Sequence, residues 1–390
     1  MPGIYPELTA QLDEFAGWRK QIHAHPETAF EEYKTAKFVT DVLESAGIPT
    51  RTGIARTGVV ASLQGRGDGP SIVLRADLDA LNMTEQNQID HRSTHEGKMH
   101  ACGHDGHTVM LLAAARHLAA KPNFNGTVHF VFQPAEENEG GGRVMVESGF
   151  FDEFPAEEVY GMHNWPALPA GEFAVHSGPA MASADRFTIT LSGRGGHGAM
   201  PHQTRDPIVV AAQLVTALQT IVSRTVDPAD SGVVSVTRIN AGETYNVIPE
   251  SAEIWGTTRS FKPHIRDLLE ARLRTLTTHI SKAFGVESHM RFLRGYPATI
   301  NTPTEAQRAA KAAAAVVGQG AVHCDLPPSM GAEDFSYFLQ ERPGCYVWIG
   351  SAKGEDGPGL HHPYFDFNDD IIPIGASYWV RLVNERLGAA

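Results

Sequence analysis

The chain has 390 residues, of which 42% are hydrophobic and 20% are charged. Both fractions are typical of globular proteins, so the composition excludes general disorder and leaves enough apolar residues for more than one hydrophobic core. Acidic residues outnumber basic ones by 45 to 32, and the formal net charge is −13. Because nucleic acids and anionic membranes attract basic surfaces, neither is expected as the main partner.

The cysteines and the apolar segments indicate the compartment. Cys102, Cys324 and Cys345 are too few and too scattered for a disulfide framework, which fits a reducing environment. The first residues show neither the basic nor the apolar region of a signal peptide. The longest apolar stretch, 208–222, is interrupted by Gln and Thr and falls short of the ~18–20 apolar residues of a membrane span. We therefore expect a soluble, cytoplasmic protein without a membrane partner.

Helix and strand signals alternate along most of the chain. Apolar residues recur at helical spacing, which predicts helices at 7–24, 31–46, 105–120, 304–317 and from 370 onward. Short apolar runs predict strands at 57–64, 71–76, 127–132, 158–163 and 345–350. This alternation predicts an α/β fold with a mostly parallel sheet flanked by helices.

The segment 182–294 follows a different pattern. It begins with an alternating strand at 186–193 and a helix from Pro207, for which Asp206 is a plausible N-cap. The rest of the segment adds strands at 233–239 and 252–258, a helix at 263–284 and a strand at 287–293. The resulting β-α-β-β-α-β order is that of a ferredoxin-like α+β unit. We therefore predict a discontinuous catalytic domain, 1–181 plus 295–390, and an inserted domain, 182–294.

The segment MHACGHDGH, residues 99–107, is dense in potential metal ligands: His100, Cys102, His104, Asp105 and His107. A polar loop that caps a helix, with Asp105 as the N-cap, would explain one or two of these residues. It would not explain a cysteine and a histidine two positions apart, because side chains at that spacing in an extended segment point the same way. We therefore predict that Cys102 and His104 bind a metal ion.

Two adjacent carboxylates follow the predicted strand 127–132, in the string QPAEE. Open α/β sheets place their ligand sites at such strand ends. Because neighbours in an extended chain project to opposite sides, Glu136 or Glu137 could bind metal while the other faces substrate. A solvated acidic turn is the alternative interpretation.

Further candidates also end strands or lie near the C-terminus. His163 ends the strand 158–163, and His361 and His362 lie in a loop near the C-terminus. A lone histidine is more often a core or surface residue than a ligand, so the joint placement of these residues carries the prediction. Asp77 and Asp79 end another strand, where one of them could orient a ligating histidine.

Taken together, these motifs resemble those of one enzyme family. The strings RADLDAL, MHACGHDGH, FQPAEE, GMHNWP, GRGGHGAMPH, NVIPE, GAEDF and LHHPYFDFND occur in this order. They are similar to motifs of the M20 metallopeptidase family, and within it to the amidohydrolase branch of hippurate hydrolases, N-acyl-amino-acid aminoacylases and auxin-conjugate hydrolases. The resemblance covers nearly the whole chain.

The resemblance implies roles for residues of the predicted catalytic domain. It implies two divalent metal ions per subunit, with the ligands Cys102, His104, Glu137, His163 and His361. Glu136 would be the general base. His362, beside His361, leaves the identity of that ligand open by one residue. Two segments depart from the family pattern, 82–87, where Asn82 replaces the usual proline, and 138–142, and both bear on substrate preference.

The resemblance also implies roles for the inserted domain. It places His197 in the active site of a partner subunit, and it assigns Asn246 and Arg259 to the carbonyl or carboxylate of the substrate. We predict that Arg259, which ends the strand 252–258, lies at the same end of the domain as Asn246 and faces the cleft between the domains. A surface arginine paired with an acid is the alternative interpretation. The inserted domain would therefore act as a lid and join a homodimer or a homotetramer.

The residues and the resemblance predict metal-assisted amide hydrolysis. The substrate would be a small N-acyl-L-amino acid, with a hippurate-like, acetyl or aryl-acyl group, cleaved to a carboxylic acid and a free amino acid. Because a thiolate is a soft ligand and carboxylates are hard, Zn, Mn, Co and Ni all remain candidates. The alternatives are a dipeptidase or carboxypeptidase on the same scaffold, an N-acetyl-diaminopimelate-type deacetylase, and a non-catalytic metal-binding protein, which the presence of Glu136 disfavours.

Overall fold

The computed structural model describes residues 3–137, 139–354 and 357–388. Its helices are α1 (Pro6–Thr9), α2 (Leu12–Ala24), α3 (Tyr33–Ser45), α4 (His104–Ala120), α5 (Gly141–Glu147), α6 (Phe150–Glu153), α7 (Pro207–Arg224), α8 (Pro263–Ala283), α9 (Pro303–Val317), α10 (Ser336–Glu341) and α11 (Ile372–Leu387). Short 3₁₀ helices lie at Pro201–Gln203, Gln319–Ala321 and Asp369–Ile371.

The longer strands of the structure are β1 (Thr50–Ile54), β2 (Gly58–Gln64), β3 (Gly67–Asp77), β4 (Asn125–Gln133), β5 (Glu158–Trp165), β8 (Ser183–Ser192), β10 (Gly232–Ala241), β12 (Ser251–Ser260), β13 (Glu287–Arg294) and β16 (Gly344–Gly350). The short strands are β6 (Phe173–Val175), β7 (Pro179–Met181), β9 (Gly196–His197), β11 (Val247–Ile248), β14 (Thr299–Ile300) and β15 (Val322–His323).

The larger sheet of the described residues has eight strands in the order β1-β2-β4-β3-β5-β16-β6-β15. Its central strands β4, β3, β5 and β16 run parallel to one another, whereas β1 and β2 form an antiparallel edge. Strands covered on both faces need apolar residues at successive positions, which explains the short apolar runs in the sequence. The predicted α/β class with a mostly parallel sheet is confirmed.

Helix α4 lies inside this part of the molecule. The seven residues from Val109 to Ala115 are all fully buried. The helix packs against β3 on one side and against α2 and α11 on the other, and a helix that is covered all round has no polar face. Its N-terminus, which carries His104, is therefore held in place against the end of β3.

The smaller sheet has the strand order β10-β12-β8-β13, with all neighbours antiparallel. Together with α7 and α8, these strands follow the order β-α-β-β-α-β, as the sequence predicts for a ferredoxin-like unit. Alternate residues of β8, including Phe187, Ile189 and Leu191, are buried in a separate hydrophobic core. The predicted N-cap of α7 is present, because the Asp206 carboxylate accepts a hydrogen bond of 2.8 Å from the backbone N–H of Ile208.

The described chain divides into two compact units. Unit 1 comprises residues 1–180, 300–327 and 334–390, and unit 2 comprises residues 181–299 and 328–333. The segment 328–333 groups with unit 2, since the backbone N–H of Ala182 donates to the carbonyls of Ser329 and Gly331, at 3.0 and 2.8 Å. Nothing in the local sequence pattern indicates this return of the chain.

Two sequence signals have a different outcome in the structure. The helix predicted over 7–24 is divided into α1 and α2, and the periodic pattern misses the break because Leu8 and Phe15 on either side are both buried.

Helix α7 is long and apolar enough for a membrane span by length and composition alone. It buries one face in the hydrophobic core of unit 2, through Val210, Leu214 and Leu218, and a core helix passes the same test.

Candidate metal centre

The predicted site residues of unit 1 gather at one edge of the large sheet. Strand β3 is parallel to β4 and to β5, so the ends of these strands at Asp77, Gln133 and Trp165 lie at the same edge. Helix α4 begins beside them and packs against β3. This is the edge at which open α/β sheets bind ligands.

Cys102 and His104 converge on His163. The ligand atoms of the three side chains lie within 4.8 Å of one another, and the Cys102 Sγ is 3.3 Å from Nε2 of His163. The predicted reason for their convergence is wrong, because the segment is not extended. Gly103 has φ 96° and His104 is the first residue of α4. A Cβ at position 103 would lie 2.2 Å from the side-chain oxygen of Asn164, so this turn requires glycine.

Glu136 and Glu137 both turn toward the same place. Ala135 has φ 55°, so the chain leaves β4 in a tight turn and not as extended chain. The Asp79 carboxylate accepts hydrogen bonds from the backbone N–H groups of Glu136, at 3.0 Å, and of Glu137, at 2.9 Å. One carboxylate oxygen of each glutamate lies within 4.8 Å of a ring nitrogen of His104. The prediction that the two side chains project to opposite sides is therefore wrong.

The C-terminal loop contributes His361 to this cluster. Its Nε2 is 3.0 Å from Oε1 of Glu137, and its ligand atom lies within 4.8 Å of those of Cys102 and Glu137. His361 adopts φ 60°, and its backbone N–H donates to the carbonyl of Ala101 at 2.8 Å. The neighbouring His362 instead accepts a hydrogen bond from the backbone N–H of Tyr364 through Nδ1. His361 is thus the member of the pair that reaches the cluster.

Hydrogen bonds to the backbone orient two of the histidines. Nδ1 of His104 donates to the carbonyl of Asp79 at 2.9 Å, and Nδ1 of His163 donates to the carbonyl of Asn164 at 2.7 Å. Each bond holds a proton on Nδ1 and directs Nε2 toward the cluster, where it would bind a metal ion. The sequence predicts that Asp77 or Asp79 orients a ligating histidine. In the structure Asp79 has this position, and the group that bonds His104 is its backbone carbonyl.

The electrostatics of the cluster favour bound cations. Nε2 of His104 is buried and lacks a hydrogen-bond partner among the described residues. Burial and the carboxylates of Glu137 and Glu136 raise the pKa of the Cys102 thiol well above its usual value. Burial opposes protonation of His104, yet Asp77 and Asp79 raise its pKa to about 10. A buried site that favours positive charge and gathers N, O and S ligand atoms fits divalent metal ions.

Sequence reasoning missed how His107 is held. Its Nδ1 donates to the Asp77 carboxylate at 2.6 Å, and its Nε2 accepts from the backbone N–H of Asn164 at 2.9 Å. Asp77 in turn accepts from the buried guanidinium of Arg75, at 2.7 Å, which also bonds Asp334 and so ties β3 to the distant string GAEDF. The strings RADLDAL and GMHNWP contain these partners, but nothing local in either string indicates the contact.

The other polar residues of MHACGHDGH stabilise the surroundings of α4. Asp105 is in the first turn of the helix and is not its N-cap. Its carboxylate accepts from Nδ1 of His23 at 2.9 Å and lies 3.6 Å from the guanidinium of Arg19. Burial opposes protonation of His23, but its hydrogen bonds with Asp105 and Glu85 raise its pKa to about 9. His100 is buried and forms none of the metal-type groups found in the described residues.

The two family-atypical segments lie near these networks. In 82–87, Glu85 and Asn87 are buried, and the Asn87 amide donates to Glu85 at 2.9 Å. In 138–142, residue Asn138 lies outside the described residues, and α5 begins at Gly141.

In unit 2, His197 and Asn246 are neighbours. The short strand β9, which ends at His197, pairs with β11, which begins directly after Asn246, and His197 lies opposite Val247. The backbone N–H of Gly198 donates to the carbonyl of Asn246 at 2.8 Å. The His197 side chain is exposed. Its Nδ1 accepts from the backbone N–H of Ala199 at 3.1 Å, so in the neutral ring the proton is on Nε2, which is left free to donate.

Arg259 lies at the other end of unit 2. Ser251 of β12 pairs with Ser192, whereas Arg259 pairs with Ala184. At ~3.3 Å per residue, the eight steps from Ser251 to Arg259 span roughly 25 Å. The prediction that Asn246 and Arg259 share one end of the domain is therefore wrong, because the strand between them runs the length of the sheet.

The guanidinium of Arg259 has no carboxylate partner among the described residues. It donates to the Thr257 hydroxyl and, at 2.9 Å, to the Thr258 carbonyl. Burial lowers the pKa of Arg259 from its usual value. The carboxylate of Asp185 opposes this shift by charge attraction, but it forms no ion pair with Arg259 among the described residues.

Residues 73–385 match the family described as Peptidase family M20/M25/M40. The chain is 38% identical to N-acetylcysteine deacetylase of Bacillus subtilis, over 93% of this chain and 94% of that protein. It is 38% identical to hippurate hydrolase of Campylobacter jejuni, over 98% and 99%, and 35% identical to thermostable carboxypeptidase 2 of Saccharolobus solfataricus, over 96% of each.

A solved structure shows the same architecture. The YXEP protein of Bacillus subtilis, described as a dinuclear metal binding peptidase from the M20 family, superposes with a TM-score of 0.83 at 35% identity. The match covers 96% of this chain and 98% of that one.

Proposed function

We propose that this chain, which belongs to the peptidase family M20/M25/M40, cleaves the amide bond of N-acyl-L-amino acids and releases a carboxylic acid and a free amino acid. Family membership confirms the resemblance noted in the sequence motifs and identifies a hydrolase. The observation that carries the proposal is the cluster in which Cys102, His104 and His163 converge with two glutamates. The relatives named for deacetylation and for hippurate hydrolysis support the choice of substrate class.

The proposed ligands of two divalent ions are Cys102, His104, Glu137, His163 and His361. Cys102 belongs both to the group with His104 and His163 and to the group with Glu137 and His361, which supports its role as a ligand in this set. Such ions supply a Lewis acid that lowers the pKa of the attacking water and polarises the amide carbonyl. We propose Zn, Mn, Co or Ni, because the set combines soft and hard ligands.

Glu136 is the proposed general base. Its carboxylate lies beside the ligand atoms of His104 and Glu137, and its backbone N–H is held by Asp79. In this role it takes a proton from the attacking water and later donates it to the nitrogen of the leaving amine. The side chain is 6% exposed, so bulk water has little access to the proton that it carries.

His197 is the proposed donor to the oxyanion of the tetrahedral intermediate. The hydrogen bond from Ala199 fixes a tautomer whose Nε2–H is free, and a neutral donor of this kind stabilises charge that develops on oxygen. We propose that His197 acts on the active site of a partner subunit, as family resemblance implies.

The surface of unit 2 supports a homo-oligomer. Strand β10 is at the edge of its sheet, and an unpaired edge strand is a template for pairing with another chain. Apolar side chains are exposed on this strand and on α7: Ile239 is 52% exposed, Ile208 42% and Val209 44%. We propose that this surface joins two copies of the chain.

We also propose a cytoplasmic location. The cysteines Cys102, Cys324 and Cys345 are free, as is usual in a reducing compartment.

Mixing two inactive variants should restore activity if His197 acts across subunits. We expect that His197→Ala and Glu136→Gln proteins are each inactive, and that subunit exchange between them recovers about one quarter of wild-type turnover, because half the dimers are hybrids with one intact site. Turnover should be measured before and after exchange, with exchange verified by mass. A mixture that exchanges fully yet stays inactive would show that His197 does not act in trans.

The substrate class is tested with a panel of amides. N-acetyl- and N-benzoyl-amino acids should be hydrolysed, whereas dipeptides with a free amine should be hydrolysed at least ~10-fold less well, because the acyl group of a dipeptide carries a charged ammonium that the bound cations repel. N-acetyl-diaminopimelate tests the deacetylase alternative. Preference for the free-amine dipeptide would instead identify a peptidase on the same scaffold.

A further inference from the structure

The turn that carries Glu136 and Glu137 is held by two buried carboxylates. Ala135, at φ 55°, is in the left-handed region that a residue with a side chain disfavours. Three successive backbone N–H groups of this turn nevertheless have acceptors. Asp79 accepts from Glu136 and Glu137, and Glu32 accepts from Ala135 at 2.9 Å. Glu32 therefore completes the set of bonds that fixes the turn.

Glu32 reaches the turn from a distant part of the sequence. It precedes α3 and is fully buried. One oxygen accepts from the backbone N–H groups of Phe30, at 3.0 Å, and of Ala135, and the other accepts from the hydroxyl of Thr57. The Glu32 side chain thus links its own segment to Thr57 and to the turn at Ala135, next to the proposed base.

Glu32 has no cationic partner among the described residues. Its partners are neutral donors, and burial together with the nearby carboxylate of Asp79 raises its pKa to about 7. A buried carboxylate without a counter-ion costs free energy. Because burying this carboxylate is costly, stability of the fold alone does not explain why Glu32 is there. Its hydrogen bond to the strained turn at Ala135 does explain it.

We propose that Glu32 is a positioning residue that fixes the Glu136–Glu137 turn, so that the base and the neighbouring metal-ligating carboxylate reach the same cluster. This inference rests on the proposed function, in which these two glutamates have those roles. Glu32 belongs to none of the potential metal-binding groups of the described residues, and in this proposal it acts only through the backbone of Ala135.

A nearby glutamate offers a matched control. Glu27, in the same segment of the chain, is also buried and also accepts several hydrogen bonds, from the backbone N–H groups of Lys34 and Thr35 and from the Thr35 hydroxyl. These donors belong to the first turn of α3, and none belongs to the turn at 135–137. Loss of the Glu27 side chain should therefore lower stability without moving the proposed base.

The experiment compares Glu32→Ala, Glu32→Gln and Glu27→Ala. Three measurements are made on each variant. They are the thermal unfolding temperature Tm, kcat and KM at saturating metal, and the Zn²⁺ affinity of the metal-free protein by calorimetric titration. We expect Glu32→Ala to lower kcat and Zn²⁺ affinity by ~10–100-fold, the range for partners that orient metal ligands, with KM changed less than about 3-fold. Glu32→Gln should recover most of both, because its amide oxygen can still accept from Ala135. Glu27→Ala should lower Tm only.

Three outcomes would overturn the inference. One is a Glu32→Ala protein with kcat and Zn²⁺ affinity within about 2-fold of wild type, below the range for such partners. The second is a parallel loss in Glu27→Ala and Glu32→Ala, scaled to the loss in Tm. The third applies where Glu32→Ala does not fold. Glu32→Asp then keeps the carboxylate but shortens the side chain, which withdraws its oxygen from the N–H of Ala135, and an unchanged Zn²⁺ affinity in that variant would overturn the inference.

The titration also separates this inference from the proposed function. If the wild-type protein hydrolyses no N-acyl-amino acid, the proposed function fails, while the Zn²⁺ affinities of the variants still report on the turn. If hydrolysis is present and Glu32→Ala leaves kcat and affinity unchanged, the proposed function stands and the role of Glu32 is wrong.

Discussion

Glu136→Gln should abolish hydrolysis of an N-acyl-amino acid and leave metal content unchanged. The substitution removes the carboxylate that accepts the proton of the attacking water but none of the proposed ligands. A loss above ~100-fold in kcat is expected for a general base. Turnover and elemental analysis of the same preparation test both parts of the expectation.

The surroundings of Glu136 make this substitution conservative in structure. The Asp79 carboxylate holds the backbone of Glu136 and not its side chain, so an amide of the same size leaves the turn in place. Glu147→Gln is the matched control, since Glu147 is an exposed glutamate at the end of α5. It should retain wild-type turnover. Near-normal turnover in Glu136→Gln, or loss of its metal, would contradict the assignment of the base.

Arg259→Ala should lower kcat/KM for an N-acyl-amino acid by about 2–5 kcal/mol of transition-state stabilisation, as truncation of one partner of a desolvated charge pair does. We propose that the guanidinium binds the free α-carboxylate next to the scissile amide through two parallel hydrogen bonds. The contact would also favour closure over the substrate, as in induced fit. Kinetics with the acid and with the corresponding primary amide measure the effect.

The state of Arg259 in unit 2 supports this expectation. The side chain is partly buried without a carboxylate partner in the described part of the chain, and burial lowers its pKa because the charge is poorly solvated. The carboxylate of Asp185 offsets part of this cost, whereas the neighbouring Arg186 adds positive potential. An anion at this place would relieve both costs.

Two controls make the Arg259 test specific. Arg291→Ala removes an exposed arginine from β13 of the same sheet and should change kcat/KM less than about 2-fold, as a screened surface charge does. The loss in Arg259→Ala should be much smaller on the amide than on the acid. Equal losses on the two substrates would show that Arg259 does not recognise the carboxylate.

Much of the fold follows from local sequence patterns. The buried parallel strands appear as short apolar runs, and α7 starts where Asp206 and Pro207 predict it. The β-α-β-β-α-β order of unit 2 can be read from alternation and helical spacing. These features depend on neighbours in sequence, because strand and helix periodicity and helix caps are local. The return of residues 328–333 to unit 2 and the break between α1 and α2 have no such local pattern in the sequence.

For the candidate site, the amino-acid sequence by itself determined the chemistry of the ligands and the family. The cysteine, the histidines and the paired glutamates are fixed by the covalent sequence. Folding changes their positions but not which ligand atoms they offer. The resemblance of these strings to one family is confirmed by the match over residues 73–385.

Only the tertiary structure decided where the side chains point and what holds them. Extended-chain geometry predicted opposite directions for Glu136 and Glu137, but the left-handed Ala135 and the Asp79 carboxylate turn both toward His104. Glu32 is 103 residues from Ala135 in sequence and bonds it directly. The physical reason is that a side chain's direction depends on backbone dihedrals at a few turn residues and on acceptors from distant segments, and neither leaves a periodic signal in the sequence.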